Sequence, residues 1–443
     1  MKRNKYCPIG IFLLFFTMRL QAQEIKKISL QEAITLGLQH SRYLQMDKAK
    51  IEEAHAVLLG AQNNQLPDFN WSASYLRLTN AKVDMKMKTG NANSNSEPAP
   101  SINQAMIGMA SLSLPLYAGH KIKYGIAMAK LGIKAAELDA ETDQNTIAFT
   151  IANAFTGLFK FSKSIAVLKE NLTASQQRDS MFLRLEENGI IARNDRLKAQ
   201  LQTANIELQL LDAGNQYTTA LMRMNLLLGL PDETQLIPDS SFIQTGLSNQ
   251  PLDYFEALSI TSRKDLQSLN VQQKAAGFST RAAKAQSLPA LSLSGGYVAA
   301  NIPHFISVYN AVNLGVGIHY NLANLWKKNA TLLQSRAKEK QLSALQDELT
   351  DNIKLALHKD YQNALFAGKK TLVYERALEQ SSENFRITQN KYKNSLVTIT
   401  DLLDADAALL AAKINLVNSR ADAALAYFKL LETAGVLPTA IKK

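Results

Sequence analysis

The chain repeats itself. Shifted by 222 positions, Leu44 and Gln45 fall on Leu266 and Gln267, Ala54 and Ala61 on Ala276 and Ala283, Leu66-Pro67 on Leu288-Pro289, Ser72 on Ser294 and Tyr75 on Tyr297. Beyond Leu116 the shift becomes 206. Leu116 then meets Leu322, Lys121 meets Lys327, Ile147 meets Ile353, Asn188 meets Asn394, Asp195 meets Asp401, Leu197 meets Leu403, Ala199 meets Ala405 and Gly229 meets Gly435. A pairing sustained at one offset over so long a stretch marks a duplicated structural unit. The first copy is 16 residues longer between Tyr75 and Leu116, within the Lys/Asn/Ser/Pro-rich stretch Asn80–Asn103. That composition reads as an exposed loop.

Each copy reads as helix, strand, loop, strand, long helix, turn, long helix. Apolar and polar residues alternate in Phe69-Asn70-Trp71-Ser72-Ala73-Ser74-Tyr75 and in Val312-Asn313-Leu314-Gly315-Val316-Gly317-Ile318. Period two is the signature of a strand with one greasy face. Leu112-Ser113-Leu114 and Leu291-Ser292-Leu293-Ser294 are shorter cases. No proline occurs between Pro115 and Pro231 or between Pro303 and Pro438. Within the first window Ile147, Ile151, Ala154, Leu158, Phe161, Ile165, Leu168 and Leu172 step by three and four, which holds one seam against a partner helix. Leu403, Ala407, Leu410, Ile414, Val417 and Ala421 continue the pattern in the second. A helix from Gly119 to Glu187 would span about 100 Å at ~1.5 Å per residue. Asn188-Gly189 and Asn394-Ser395 are then the tips of two hairpins.

The expected organisation is a signal peptide at 1–22 and a first repeat at 23–231. The repeat carries strands near 69–78 and 107–117 and a helical hairpin over 119–229. A linker follows at 232–253. The second repeat covers 254–443, with strands near 291–299 and 311–322 and a hairpin over 325–434. The export signal rests on Lys2, Arg3 and Lys5, then the apolar run Ile9–Met18, then Leu20-Gln21-Ala22 before the cut. Cys7 is the only cysteine and would leave with the signal, so a disulfide framework or thiol chemistry is not expected. Removing the four basic residues of 1–22 takes the formal net charge from +11 to +7. The remaining cations alternate with Asp and Glu, with no basic block to track phosphates, so nucleic acid is not an expected partner. No stretch after the signal is apolar for long enough to be a transmembrane helix.

Short amphipathic strands in an exported chain suit a membrane barrel. Four cannot close one, because about eight is the small limit. An unclosed sheet in lipid strands backbone polar groups at several kcal/mol each, so the membrane reading requires more than one chain. Two chains give eight strands and three give twelve. Tyr117, Tyr320 and Trp326 lie at strand ends, where an aromatic girdle would sit. The alternative is a soluble periplasmic coiled-coil adaptor or spacer.

Here the sequence resembles the TolC-like outer-membrane efflux factors. The resemblance spans nearly the whole chain after the signal. It rests on Leu30-Gln31-Glu32-Ala33-Ile34, the two Leu-Pro pairs before strands and Pro115-Leu116-Tyr117-Ala118-Gly119. Asn188-Gly189 with Asp195 and Leu197, and Leu228-Gly229-Leu230-Pro231, complete it. It implies a mainly α fold with a membrane β part: a homotrimer, four strands per chain in a twelve-stranded β-barrel, and long antiparallel helices forming a periplasmic α-helical tunnel. It implies an outer-membrane channel in a Gram-negative bacterium, a passive duct served by an inner-membrane pump and a periplasmic adaptor (membrane fusion) protein. No cofactor is implied.

A passive duct needs a gate and no nucleophile. Asp401 and Asp404 share a helix face. In a symmetric trimer each becomes a carboxylate ring that favours cations and narrows the pore. The family's periplasmic constriction carries two aspartates at these matching positions. A charge at a helix N-terminus is a compatible second reading of Asp401. The resemblance also gives Asp195 and Tyr392 as tip-closure contacts, and it puts Val397 where the best-known members have an arginine that helps lock the tip. Met85, Met87, Met106 and Met109 cluster around the first strand pair, where thioethers could meet Cu(I), though strand and loop packing explains them as well. No His-Glu-x-x-His, phosphate-binding loop or nucleophile elbow is present, so the chain does not read as an enzyme.

Overall fold

The computed structural model describes residues 25–82, 101–247, 250–303 and 306–441. The expected signal peptide lies outside the described residues, as do Met85, Met87 and most of the loop around them.

The first copy begins with β1 (Ile25–Ile28), α1 (Leu30–His40) and α2 (Arg42–Asn63), followed by β2 (Asp68–Lys82), β3 (Ser101–Tyr117), α3 (Lys121–Glu187) and α4 (Arg193–Leu228). After β4 (Gln235–Pro238) the second copy runs through α5 (Leu252–Ser262), α6 (Lys264–Ala285), β5 (Ala290–Ile302), β6 (Ile306–His319), α7 (Ala330–Lys393), α8 (Ile399–Thr433) and the short α9 (Leu437–Ile441). Each helix start has a local cause where a cap is present. Ser29 accepts from the Glu32 amide, Ser41 from Leu44 and Asn329 from Leu332, so each satisfies one orphan amide of a first turn.

α3 is the spine. Its upper half packs against α2 and α6, and its lower half against α4 and α8. Midway along it sits the main core. Phe155 and Phe159 meet Phe242 edge-on at 5.4 and 5.2 Å, and Phe428, Leu236 and Phe255 close around them, all buried. β1 lies parallel to β4 beside this core and ties the start of the first copy to the segment between copies.

Gly229 and Gly435 show why the second shift holds to the end of each copy. Both are left-handed, with φ of 68° and 81°. A Cβ on Gly229 would lie 2.8 Å from His40 Cβ, and one on Gly435 would lie 3.1 Å from Arg263 Cα. In both copies the last long helix ends against the joint between the two short helices, where only glycine supplies the turn and the clearance.

The four long strands form one sheet in the order β2-β3-β5-β6, all antiparallel. The central β3–β5 pair joins the second strand of one copy to the first strand of the other. β2 and β6 are open edges.

Candidate functional site

The register sorts the sheet into two faces. Trp71 lies opposite Ala110, Ala110 opposite Tyr297 and Tyr297 opposite Val312, so all four side chains share one face. The next rows toward the helices are Phe69, Leu112, Gly295 and Leu314, then Leu114, Leu293 and Val316. The other face carries Asn70, Ser111, Gly296 and Asn313, then Asp68, Ser113, Ser294 and Gly315. Among the described residues, nothing lies over the greasy face. Leu314 and Ile318 are 77% exposed and Trp71 is 73% exposed. In water each such residue forgoes about 2 kcal/mol of burial. In lipid it forgoes nothing. From Val312 to Ile318 the column rises about 20 Å at ~3.3 Å per residue, close to a membrane barrel's apolar band. Exposed Phe69, Tyr117, Tyr320 and Trp326 gather at the helix end of the sheet, the place of an interfacial girdle.

Far from the sheet are the hairpin tips. α3 ends at Glu187 with Asn188 as its cap, and Gly189 turns the chain at φ 70°. The equivalent in the second tip is Ser395, held at φ 57° with no glycine to relieve it. The two tips are superposable in hydrogen bonding: Ile190 donates to the Leu185 carbonyl at 2.8 Å and Leu396 to the Lys391 carbonyl at 2.9 Å.

The second copy's tip continues into α8 through a capping box. Thr398 N and Oγ1 donate to Asp401 Oδ2 at 2.8 and 2.6 Å, and the Asp401 amide returns a bond to Thr398 Oγ1 at 3.2 Å. Those donors, the Thr398 hydroxyl first, hold the Asp401 carboxyl below its ordinary pKa. Asp401 thus has the helix-terminal role, and it is also exposed. Asp404 is exposed three residues on, whereas Leu402, Ala405 and Asp406 turn inward.

Asp195 is the equivalent of Asp401, but its N-cap position is Ala192, which cannot form the box. Its carboxylate instead takes Lys198 Nζ at 3.4 Å. Tyr392 packs edge-on against Phe182 at 5.9 Å. Burial, then the charge of Asp195, raises the Tyr392 hydroxyl's pKa. The structure therefore brings Asp195 and Tyr392 into one electrostatic neighbourhood; no hydrogen bond joins them among the described residues. Val397 is half-buried.

Arg178 and Asp406 are the polar pair that sequence reasoning missed. Arg178 Nη2 lies 2.9 Å from Asp406 Oδ2, with side chains only 11% and 5% exposed. It bridges α3 and α8, and so the two hairpins. Taking one partner from such a pair costs ~3–5 kcal/mol, because the other is left charged and dry. A signal existed: Asp406 sits four residues from both Leu402 and Leu410, on the apolar seam where a charge needs a partner.

Comparison with known proteins identifies this architecture. The model of the outer membrane efflux protein family matches residues 33–230 and 257–436, which is one segment in each copy. The chain belongs to that family. It is 23% identical over 426 residues to the pyoverdine export outer membrane protein OpmQ of Pseudomonas putida, covering 91% of this chain and 85% of that one. It is 22% identical over 345 residues to the alkaline protease secretion protein AprF of Pseudomonas aeruginosa, covering 75% and 70%. The crystal structure of the outer membrane protein VceC of Vibrio cholerae shares the fold, with a TM-score of 0.74 at 19% identity over 92% of this chain and 96% of that one. The protein is an outer-membrane efflux channel of TolC-like fold with a periplasmic helical part. The family consists of channel proteins, and the uncovered greasy sheet face has no use in a soluble spacer.

Proposed function

We propose that three copies of this chain form one passive duct that takes solutes from an inner-membrane pump and a periplasmic adaptor protein to the exterior. One observation carries the reading: a four-stranded sheet with a lipid-compatible face, a small polar face and two open edges, continuous with helices of more than sixty residues. Within the chain, the second strand of the first copy pairs with the first strand of the second. Repeating that joint places β6 against β2 of a partner subunit, which satisfies both edges. Eight strands would be filled by their own side chains, whereas twelve leave a lumen. Three chains therefore make a duct where two would make a plug. The same threefold axis turns exposed Asp401 and Asp404 into two carboxylate rings, the proposed cation-favouring constriction. Asp195 and Tyr392 are its closure contacts.

Single-channel recording in planar bilayers tests this. Purified protein is expected to give a small, cation-selective conductance. Asp401→Asn with Asp404→Asn is expected to enlarge it or abolish its selectivity. An inserted, folded double mutant that matches the parent in both respects would remove these residues from the gate.

A further inference from the structure

Charge is not spread evenly along this chain. No Asp or Glu occurs between Glu97 and Glu137, and none between Asp265 and Glu339. The first interval holds four lysines, and the second holds seven lysines and arginines. Both intervals cross from the sheet into the helices that continue it, so the joint between the two parts is cationic. Among the described residues, the first ion pair along α3 is Lys134–Glu137. The first carboxylate on α7, Glu339, lies about three turns beyond Lys328 at ~3.6 residues per turn. It accepts the Thr280 hydroxyl at 3.0 Å.

Three of these cations share one cavity. Lys121 at the start of α3 and Lys327 and Lys328 just before α7 line a space of about 520 Å³ beside the end of α6. That is within the size range of small-molecule sites. Lys327 is the duplicate of Lys121 at the 206 shift, so the fold brings the equivalent lysines of the two copies to one place. His319, Asn321 and Asn324 add an imidazole and two side-chain amides. The wall on the α7 side is pinned. Asn329 Nδ2 donates to the Ala283 carbonyl at 3.0 Å and to the Ser287 hydroxyl at 3.2 Å, while its Oδ1 caps the Leu332 amide. The first turn of α7 thereby adds the positive end of a helix of 64 residues to the lysines. Among the described residues, none of the three lysines has a carboxylate partner. Like charges gathered at a fixed wall repel, and an oxyanion is the group that relieves them.

The register shows which way the cavity opens. His319 lies opposite Ala290 in the last row of the β5–β6 ladder. Alternation puts both on the face of Ser294 and Gly315, the small polar face that a barrel turns inward. Asp68 is the one carboxylate on that face among the described residues. In a ring it comes beside β6 of a neighbouring chain. Three lysines against one aspartate still leave +2 per chain and +6 for three chains.

We propose that the duct carries an anion-binding collar where the helical part meets the barrel: three cavities, each of Lys121, Lys327 and Lys328, that take a phosphate or carboxylate group borne by the exported solute. This rests on the trimeric duct proposed above and adds a class of cargo to it. The acidic rings assigned to the tip repel such a group and the collar attracts it, so the field along the duct favours its passage outward.

The test uses the whole channel protein and tripolyphosphate, a soluble carrier of several oxyanion groups. Isothermal titration in detergent reads binding. Planar bilayers read the current when the probe is added on the side of the sheet. The parent is expected to bind the probe and to lose current as its concentration rises, equally in phosphatidylcholine and in bilayers containing phosphatidylglycerol. Lys121→Gln with Lys327→Gln and Lys328→Gln is expected to raise the half-blocking concentration about tenfold or more. Lys121→Arg with Lys327→Arg and Lys328→Arg is expected to keep it. Lys130→Gln with Lys274→Gln removes two exposed cations of the same acid-free intervals from outside the cavity and is expected to match the parent. Unchanged binding by the triple Gln variant would overturn the site, as would an equal loss in the Lys130, Lys274 control. Block that disappears when phosphatidylglycerol is present would mean that the cavity faces lipid, which overturns the lumenal collar. Binding with no effect on current would overturn it as well. Lysine-dependent binding by a folded protein that never conducts would fault the duct and uphold the site.

Discussion

At Asp47 the two copies carry opposite chemistry at equivalent positions. It is 4% exposed, takes Lys50 Nζ at 2.8 Å on Oδ1, and leaves Oδ2 without a donor. Asp143 of α3 lies in its electrostatic neighbourhood, with Asp139 near by. Burial, then the Asp47 charge, raises the Asp143 pKa, with Lys50 opposing. The equivalents in the second copy are Leu269, which is buried, and Leu349, which is partly buried against the main core. The folded chain holds the Asp143 proton more tightly than the unfolded chain, whose carboxyl titrates near ~3.9. The penalty is absent below that pH and grows as pH rises through the folded value. Asp143→Asn supplies a neutral donor to Asp47 Oδ2. It is expected to stabilise the fold by about 1 kcal/mol at pH 7 and by little near pH 4, measured as the difference in denaturant midpoint at the two pH values. Ser395 offers a simpler gain. Its φ of 57° suits glycine, the residue at the equivalent position 189. Ser395→Gly is expected to add ~1 kcal/mol, whereas Gly189→Ser should lose a similar amount by the same assay.

At the scale of elements the sequence was informative wherever a pattern is local. Alternation in Val312–Ile318 named a strand and its greasy face, and proline-free 4-3 spacing from Ile147 named a long helix. Capping was legible in part. Thr398 and Asp401 stand three apart, which is a capping-box spacing and accounts for the aspartate independently of its family match. The seam position of Asp406 shows that it needs a partner, but Arg178 as that partner is out of reach, because the two are 228 positions apart and pair only once α3 and α8 lie side by side. The Asp47–Asp143 pair was hidden for the same reason. Each residue alone looks like a solvated helix charge. The strand faces make a prediction of their own. Leu314→Lys sets a cation on the lipid face and is expected to cost ~2–4 kcal/mol of membrane stability near the midplane. Gly315→Lys places the same charge on the opposite face, where an added Cβ meets nothing within 4 Å, and should be tolerated. Outer-membrane yield and urea resistance in detergent should fall for the first and hold for the second.

The whole molecule consists of two parts stabilised by different solvents. The helical part has its own core, where Phe155, Phe255, Phe428 and Leu236 are buried by elements from both copies. That core would persist in water. Among the described residues the sheet has no second layer, so its apolar face is suited to lipid and its edges to neighbours. The two parts should therefore fail separately. Deleting residues 107–117 removes most of β3, the strand that joins the two halves of the sheet, and leaves β2 and β5 without their shared partner. None of the buried residues of the helical core lies in that segment. The deleted chain is expected to remain in the periplasmic fraction, absent from the outer membrane, with the circular dichroism of a helical protein and a cooperative thermal transition. Recovery in the outer membrane would mean that the sheet is not what anchors the protein. Loss of the helical transition would mean that the core midway along α3 depends on a sheet tens of ångströms away, at ~1.5 Å of rise per residue between them, and that the two parts fold as one.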